Sequence, residues 1–249
     1  MNRFSRPLNR IIESGIDLVF PKICRNCGDP FREGLSNILC GGCWDSILPY
    51  GGLLCSHCGA SLPPSAFDGS KELRCMDCGF GKYELDEVRS FGAYVGPLRI
   101  VHHGFKFEGL EGLAVDLAKK MVITIAKSEV DGLVPVPMNH TKERERGYHP
   151  VNALTEALGK EWGIPVQEIL TKVKNTPPQM SLDQKKRMNS PKGAFAIQLG
   201  VMSSPRMLLV DDVFTTGSTL EECARVLKKA GSQWVGAVVW GRTPKNFSL

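Results

Sequence analysis

The sequence predicts an α/β protein in which a mostly parallel sheet is flanked by helices and preceded by a small cysteine-rich module. From residue 88 onward, short apolar runs typical of strands alternate with longer segments of helical periodicity. This alternation favours β-α-β units in a parallel sheet covered on both faces. Before residue 80, by contrast, eight cysteines occur in Cys-x-x-Cys pairs among many glycines and prolines. Metal, rather than an apolar core, is therefore expected to hold this part together.

The chain of 249 residues is long enough for one sizeable core and a small accessory module. Its hydrophobic content of 42% and charged content of 23% exclude a disordered or fibrous protein. The longest apolar runs, such as Met121–Ala126 and Val235–Trp240, are far shorter than the roughly 20 residues of a membrane span. Glu13 and Asp17 interrupt the apolar stretch near the N-terminus, so no secretory signal is predicted and we expect a cytoplasmic protein.

Residues 1–20 are predicted to form a short amphipathic helix that ends before Pro21. Its apolar side chains recur at helical spacing, at Leu8, Ile11, Ile12 and Ile16. Packing of this helix on its own domain is favoured over docking to a membrane or a partner.

Residues 21–80 contain four knuckles, which are Cys24/Cys27, Cys40/Cys43, Cys55/Cys58 and Cys75/Cys78. Twelve residues separate the first two knuckles and 16 separate the last two, spacings that indicate paired tetrathiolate zinc sites. Because disulfides are rare in the cytosol, we predict two zinc sites. An iron–sulfur cluster and redox-active dithiols are the alternatives, and the spacing leaves interleaved pairing of the knuckles open.

Two zinc sites would have consequences for charge and for stability. The formal net charge is +5, and each tetrathiolate site lowers it by two, to a total of about +1. Global charge then gives no support to nucleic-acid binding, which would need a local basic patch. Because the module depends on metal, chelation is expected to unfold residues 21–80 and to leave the α/β part compact.

After a linker over residues 81–87, predicted strands and helices alternate along the remaining chain. Strands are predicted over Val88–Val95, Gly132–Pro137, 166–170, 194–198, Met207–Asp211 and Gln233–Trp240. Helices are predicted over Leu110–Lys127, Pro150–Trp162 and Ser218–Lys229. Ligands of such sheets bind beyond the carboxyl ends of the strands.

The most informative segment runs from Met207 to Thr219. A buried strand is predicted to deliver Asp211 and Asp212 to its carboxyl end, and a loop with one glycine and several hydroxyl side chains leads into a helix. The N–H groups of a helix N-terminus bind phosphate, whereas paired carboxylates suit sugar hydroxyls or magnesium. Together these features indicate a cradle for a ribose 5-phosphate. A simple capped helix after a strand-end turn is the alternative, but capping explains only one of the hydroxyl side chains.

These 13 residues resemble the phosphoribosyl-diphosphate (PRPP) signature of type I phosphoribosyltransferases. The whole chain resembles the ComF family, which joins an N-terminal double zinc ribbon to a phosphoribosyltransferase domain and is linked to natural competence and DNA uptake. The supporting segments occur in matching order, at Asp17–Pro21, Gly104–Gly109, Val134–Pro137, Arg144–Tyr148, Thr176–Gln179, Arg187–Asn189 and Gly193–Phe195. The resemblance implies a double zinc ribbon for residues 21–80 and the type I phosphoribosyltransferase fold for residues 88–249.

The resemblance also implies roles for single residues. Asp211 and Asp212 would hold the ribose hydroxyls of PRPP, and with Lys106 they are the candidates for catalysis. The 5′-phosphate would be bound by Thr215, Thr216, Gly217, Ser218 and Thr219. Arg144 and Arg146 would face the diphosphate, together with Lys106, and Mg²⁺ would bridge diphosphate and ribose oxygens.

A lid over this site is expected at Lys172–Lys192, which carries six basic residues and one acid, Asp183. Closure over an anionic substrate would exclude water, and a solvated linker is the alternative. One departure from the family lies nearby. Where relatives usually have Asn-Gln after an Arg-Gly-aromatic step, this chain has His149-Pro150, which changes the groups available to a ligand.

Three functions are compatible with these features. The first is an active phosphoribosyltransferase with an unspecified acceptor. The second is a non-catalytic competence protein that binds PRPP or single-stranded DNA, for which Lys185, Lys186 and Arg187 supply positive charge. The third is a PRPP-sensing regulator. PRPP is the expected ligand, and single-stranded DNA and competence proteins are further candidate partners.

Three other side chains receive a structural interpretation. His102 and His103 are expected on the surface, and contact with the diphosphate or with DNA is the alternative. Cys223 is expected to pack inside its helix as a small apolar residue.

Overall fold

The computed structural model describes residues 22–35, 37–67, 69, 72–79, 81–125, 129–173 and 192–244. The helix predicted over residues 1–20 and most of the lid predicted at Lys172–Lys192 lie outside the described residues, as do Lys185, Lys186 and Arg187. Within the described ranges, no helix is long and apolar enough to cross a membrane.

Short hairpins and single helical turns make up the cysteine-rich module. Strands β1 to β4 form two antiparallel pairs, at Lys22–Ile23, Pro30–Phe31, Gly34–Leu35 and Leu39–Cys40. Two short helices follow, α1 at Gly41–Asp45 and α2 at Met76–Gly79. Each helix carries one knuckle cysteine, Cys43 or Cys78, so local turns of the chain present the thiols.

A four-stranded parallel sheet forms the centre of the remaining chain. Its strands are β5 (Glu87–Ala93), β6 (Gly132–Pro135), β9 (Arg206–Phe214) and β10 (Trp234–Arg242), in the spatial order β5-β10-β9-β6. A separate antiparallel pair is formed by β7 (Leu170–Lys172) and β8 (Phe195–Ile197). The strand that carries the aspartate pair, β9, therefore has a neighbour on each side.

In the described part of the chain five helices accompany the sheet, α3 (Gly96–Phe107), α4 (Leu113–Thr124), α5 (His140–Arg146), α6 (Pro150–Trp162) and α7 (Ser218–Lys229). The apolar residues of α3, α4 and α6 belong to one buried cluster, and those of α7 belong to a second. Alternate residues of β9 face the two clusters, Leu208 and Val210 the first, Met207 and Leu209 the second. The sheet therefore separates two apolar layers, as expected for a sheet buried on both faces.

The predicted fold class, a parallel sheet with helices and an N-terminal cysteine-rich module, is confirmed. The bounds of α6 and α7 are those predicted, and β9 runs three residues beyond its predicted end, to Phe214. The helices α3 and α5 are not predicted by the sequence reasoning above.

The cysteine-rich module packs directly on the α/β part. Ile38 is fully buried in the first cluster, and a Cβ placed on Gly104 of α3 would lie 2.5 Å from its Cδ1 atom. Along β5, the N–H of Val88 donates to the carbonyl of His57 at 2.6 Å. Module and sheet therefore share apolar contacts and backbone hydrogen bonds.

Candidate functional site

The eight knuckle cysteines gather into two groups of four in sequence order. Cys24, Cys27, Cys40 and Cys43 form the first centre, and Cys55, Cys58, Cys75 and Cys78 form the second. All four sulfurs of a centre lie within 4.8 Å of one another, with 3.9 Å from Cys27 to Cys40 and 3.8 Å from Cys58 to Cys75. Sulfurs bound tetrahedrally to zinc at about 2.3 Å are roughly 3.8 Å apart. The donors and their spacing therefore fit one structural zinc ion in each centre.

Backbone N–H groups favour ionisation of one thiol in each centre. Burial acts to raise the pKa of Cys24, but backbone N–H donors, chiefly that of Cys27, outweigh burial and lower this pKa to about 6. At Cys55 burial is again outweighed, chiefly by the N–H of Cys58, and the pKa falls to about 7. Because zinc binds the thiolate, this geometry prepares both centres for metal.

Asp212 lies near the end of β9, and its carboxylate contacts two basic side chains of α3. Its Oδ2 atom contacts the Lys106 ammonium and lies 3.1 Å from Nε2 of His102. The Nδ1 atom of His102 is 2.8 Å from the Tyr94 hydroxyl, and the imidazole ring meets Trp240 edge-on. Burial acts to raise the pKa of Asp212, but Lys106 and His102 outweigh it and hold this pKa well below its usual range. Asp212 is therefore an ionised carboxylate at neutral pH.

Asp211 precedes Asp212 in the strand, so its side chain points to the opposite face of the sheet. That face belongs to the second apolar cluster, in which Cys223 of α7 is buried as predicted. Burial and, secondarily, the charge of Asp212 raise the pKa of Asp211 to about 7. The two aspartates that the sequence presents as a pair are thus unequal, since one is ionised and the other is about half protonated near neutral pH.

The loop between β9 and α7 has the geometry of an anion site at a helix start. Gly217 caps the helix with a φ of 79°, and a Cβ there would lie 2.8 Å from Cζ of Phe214. Only glycine allows the chain to turn over this ring. Thr215 and Thr216 are exposed, and the Thr216 hydroxyl lies 2.9 Å from that of Ser218. Hydroxyl groups thus lie beside the first turn of α7, where helix geometry directs backbone N–H groups out of the helix end.

The two arginines predicted to face a diphosphate lie on different sides of α5. The Arg146 guanidinium stacks 4.9 Å from the centre of the Phe107 ring and donates to the Met138 sulfur at 3.2 Å. Its charge also acts on Lys106, the partner of Asp212. Arg144 is exposed and, two residues earlier on the helix, points away from Arg146.

His149, which follows Tyr148, is the N-cap residue of α6. Its Nδ1 atom lies 3.1 Å from the N–H of Asn152, and its Nε2 atom lies 2.9 Å from the N–H of Met138. Burial lowers the pKa of His149. The neutral ring has one acceptor nitrogen, so it can accept from only one of these two N–H groups at a time, and a protonated ring could accept from neither. The neutral imidazole therefore lies between the loop after β6 and the start of α6 and accepts from one of them.

An open cleft of about 150 Å³ lies beside this loop. Its walls include Met138, His149 and Lys172, and two carboxylates, those of Glu143 and Glu168. Because two acids oppose one lysine, the cleft suits a hydrogen-bond donor better than a diphosphate.

The sequence reasoning favoured the wrong position for His102. It was expected on the surface, yet only 5% of it is exposed, whereas His103 has a side chain that is 64% exposed, as expected. A signal was available, because Leu98, Val101, His102 and Phe105 follow the helical spacing i, i+3, i+4, i+7 and are all buried.

The N-terminal part of the chain matches a family model described as a double zinc ribbon domain, over residues 15–79. The matched range contains all eight ligands of the two centres. The four thiolate donors, the distances between their sulfurs and the match to a double zinc ribbon model therefore all support zinc as the metal of both centres.

Over most of its length the chain is similar to proteins named for competence or DNA utilization. It is 32% identical over 217 residues to competence protein F of Haemophilus influenzae, covering 82% of this chain and 90% of that protein. It is 30% identical over 190 residues to the DNA utilization protein YhgH of Salmonella typhi, covering 73% and 81%. Competence protein ComFC of Streptococcus pneumoniae is 25% identical over 230 residues, covering 85% and 98%.

Solved structures with a similar fold include phosphoribosyltransferases. A purine phosphoribosyltransferase from Pyrococcus horikoshii has 19% identity and a TM-score of 0.30, covering 54% of this chain and 84% of that one. A glutamine PRPP amidotransferase from B. subtilis has 16% identity and a TM-score of 0.37, covering 55% and 30%. Likeness of this degree carries no argument about substrate.

Proposed function

Because the chain belongs to the ComF family of competence proteins, we propose that it is a phosphoribosyltransferase-like protein that binds PRPP with Mg²⁺ and acts in DNA uptake. The ligand would lie across the end of β9 and the start of α7. The observation that supports this most is the ionised carboxylate of Asp212 on the same short segment as the hydroxyl-rich loop that begins α7.

The two ends of this segment offer complementary groups to PRPP. The 5′-phosphate would accept hydrogen bonds from N–H and hydroxyl groups over Thr215–Thr219, where the helix N-terminus favours negative charge. The ribose hydroxyls would donate to Asp212, and to Asp211 in its ionised form. Bound Mg²⁺ would neutralise the diphosphate and assist its departure.

Lys106 has a defined part in this proposal. Its ammonium contacts the Asp212 oxygen that a ribose hydroxyl would need, and its side chain is 27% exposed at the edge of the site. A diphosphate carries more charge than one carboxylate, so it would attract the ammonium away from Asp212. His102 would then keep Asp212 in place while Lys106 and Arg146 bind the leaving group.

Transfer of ribose 5-phosphate would use the same arrangement. When the bond between the anomeric carbon and diphosphate breaks, positive charge develops on the sugar and negative charge on the leaving group. Asp212 lies on the sugar side, and the cationic pair of Lys106 and Arg146 lies on the other. A water-free site is also needed, since water would otherwise take the place of the acceptor.

The test is calorimetric titration of the full-length, zinc-loaded protein with PRPP at saturating Mg²⁺, with thermal unfolding as a second measurement. The wild type is expected to bind saturably and to show a raised Tm. Asp212→Ala should weaken binding about tenfold or more, because it removes charge-assisted hydrogen bonds. Glu156→Ala, which removes an exposed acid from α6, is the matched control and should bind like the wild type.

The outcomes separate the three functions. A folded wild type that neither binds PRPP nor gains stability from it would overturn the proposal. Diphosphate release that depends on an added acceptor identifies a transferase, whereas binding without release identifies a sensor. Salt-sensitive binding of single-stranded DNA that Asp212→Ala retains would assign DNA to another surface.

A further inference from the structure

Arg242 is a buried cation at the end of β10. Only 2% of it is exposed, and a guanidinium stays protonated at any physiological pH. A buried charge requires a counter-charge or complete hydrogen bonding. Among the described carboxylates, none lies within ion-pair distance of Arg242.

The second zinc centre supplies the negative charge. The Arg242 guanidinium donates to the carbonyl of Cys58, and its Nη2 atom lies 3.5 Å from the Cys58 sulfur. Zinc with four thiolates carries a net charge of about −2. Cys55, Cys58 and Cys78 are all buried, so water screens little of this charge. In the first centre Cys27 is exposed, so water can screen the negative charge there and no internal cation is required.

On its other side Arg242 contacts the residues beneath the loop that begins α7. Its guanidinium lies 4.5 Å from the centre of the Phe214 ring, the same ring that packs under Gly217. The N–H of Thr243 donates to the carbonyl of Phe214 at 3.1 Å. An unbroken series of contacts therefore runs from Cys58 through Arg242 and Phe214 to Gly217.

We propose that Arg242 is the counter-ion of the second zinc centre and that it couples this centre to the loop Thr215–Gly217. Zinc in the second centre keeps the guanidinium in place, and the guanidinium keeps the Phe214 ring under Gly217. Loss of this zinc removes the counter-charge, releases Arg242 and loosens the loop. This coupling goes beyond PRPP binding, because it concerns the order of the loop with or without a ligand.

The first experiment measures zinc retention in the full chain. Variants are treated with a chelator and a thiol-alkylating reagent, and the rate of labelling is followed for each cysteine by peptide mass spectrometry. Arg242→Met should speed labelling of the second centre about tenfold or more, because a buried pair has lost one partner, and should leave the first centre unchanged. Arg242→Lys, which keeps the charge, should fall between Arg242→Met and the wild type.

Arg89→Met is the matched control. Arg89 also donates to the second ribbon, through the carbonyl of Ser56 at 3.1 Å, but it is partly exposed, and its other described partners are Val88 and Glu87 rather than a zinc ligand. The Arg89→Met variant should release zinc from the second centre at the wild-type rate. Equal labelling rates in Arg242→Met and the wild type, or equal acceleration by Arg89→Met, would overturn the proposal.

A second measurement needs no variant and covers the case in which Arg242→Met does not fold. Amide hydrogen exchange of the wild type is followed during stepwise chelation without PRPP. Exchange at Phe214–Gly217 and Thr243 should rise in step with labelling of the second centre and not with that of the first. Unchanged exchange after the second centre is fully labelled would contradict the coupling, whether or not the protein binds PRPP.

Discussion

Asp211 and Asp212 are neighbours in β9 with opposite effects on the pH dependence of stability. The pKa of Asp212 is lowered in the folded protein, so its contribution is present above the unfolded pKa of about 3.9 and is lost as the pH falls. The pKa of Asp211 is raised to about 7. Between about pH 4 and pH 7 the folded protein holds a proton at Asp211 that the unfolded chain has released, so stability falls as the pH rises through this range.

Asp211→Asn is therefore expected to stabilise the unliganded protein at pH 8 by about 4 kcal/mol, because the substituted residue cannot ionise, whereas wild-type Asp211 has a pKa of about 7 when folded and about 3.9 when unfolded. Near pH 4 the variant and the wild type should be equally stable. Urea unfolding at a series of pH values measures the difference. A constant offset across the pH range would show that Asp211 ionises normally in the folded state.

The conformation of the loop before α7 depends on the absence of a side chain at Gly217. Gly217 and Gly147 both have a φ of 79°, but a Cβ on Gly217 would strike the Phe214 ring and a Cβ on Gly147 would meet nothing within 4 Å. Substitution by alanine imposes about 1–2 kcal/mol of backbone strain at either position, and overpacking adds about 1–3 kcal/mol at Gly217 alone.

We therefore expect Gly217→Ala to unfold at clearly lower urea concentration than Gly147→Ala, and to weaken PRPP binding as well. Urea unfolding and calorimetry of the two variants side by side make the comparison. Equal losses of stability would mean that the ring moves aside and that the loop does not depend on the close contact.

The helices α6 and α7 were predictable from the sequence, whereas α3, whose buried face includes His102, was not. The bounds of α6 and α7 follow from a proline at the start of one and regular apolar periods in both. In α3 the apolar period passes through His102, and treating histidine as a surface residue interrupts that period. The helix escaped prediction because a tertiary contact, that of His102 with Asp212, decides its burial.

The candidate site likewise has one part that the sequence predicts and another that depends on tertiary contacts. The turn from β9 to α7 is contiguous in sequence, so its glycine and hydroxyl residues identified it without a structure. The partners of Asp212 lie 106 and 110 positions away, and only the packing of α3 on the sheet brings them together. Sequence alone therefore proposed Lys106 as a diphosphate ligand and gave no indication of its ion pair with Asp212.

The start of α6 provides a test of capping by His149. A neutral ring accepts one hydrogen bond, so at pH 8 His149→Ala should lose about 1 kcal/mol of stability. His149→Asn should lose less, because asparagine can cap the helix through its own side chain. Because the pKa of His149 is lowered in the folded protein, wild-type stability from this group declines as the pH falls below about 6.5.

The gap between His149→Ala and the wild type should accordingly narrow towards pH 5. Urea unfolding at pH 8 and pH 5 tests both statements. A gap that widens on acidification would mean that the folded protein prefers the protonated ring, contrary to the two N–H groups that face it.

The two parts of the chain share one of their cores, which changes the expected response to metal loss. Leu39 and Ile38 from the first ribbon belong to the same buried cluster as Phe105 and Trp240, and the Arg25 guanidinium pairs with Glu108 at 2.7 Å. Apolar surface buried across such a contact stabilises both sides together. Sequence alone predicted that chelation would unfold residues 21–80 and leave the α/β part compact, because composition shows no shared core.

With the shared cluster, chelation at neutral pH is instead expected to lower the Tm of the whole chain in a single cooperative transition. The removed zinc no longer holds Ile38 and Leu39 in the cluster, so the cavity left against α3 destabilises the sheet as well. Near-ultraviolet circular dichroism, which senses buried Trp240, and labelling of the knuckle cysteines should then follow the same melting curve. The control is chelator saturated beforehand with zinc, which should leave the Tm unchanged. Two separate transitions, with the α/β part melting at its zinc-loaded temperature, would show that the contact between ribbon and sheet contributes little and that the module is an independent folding unit.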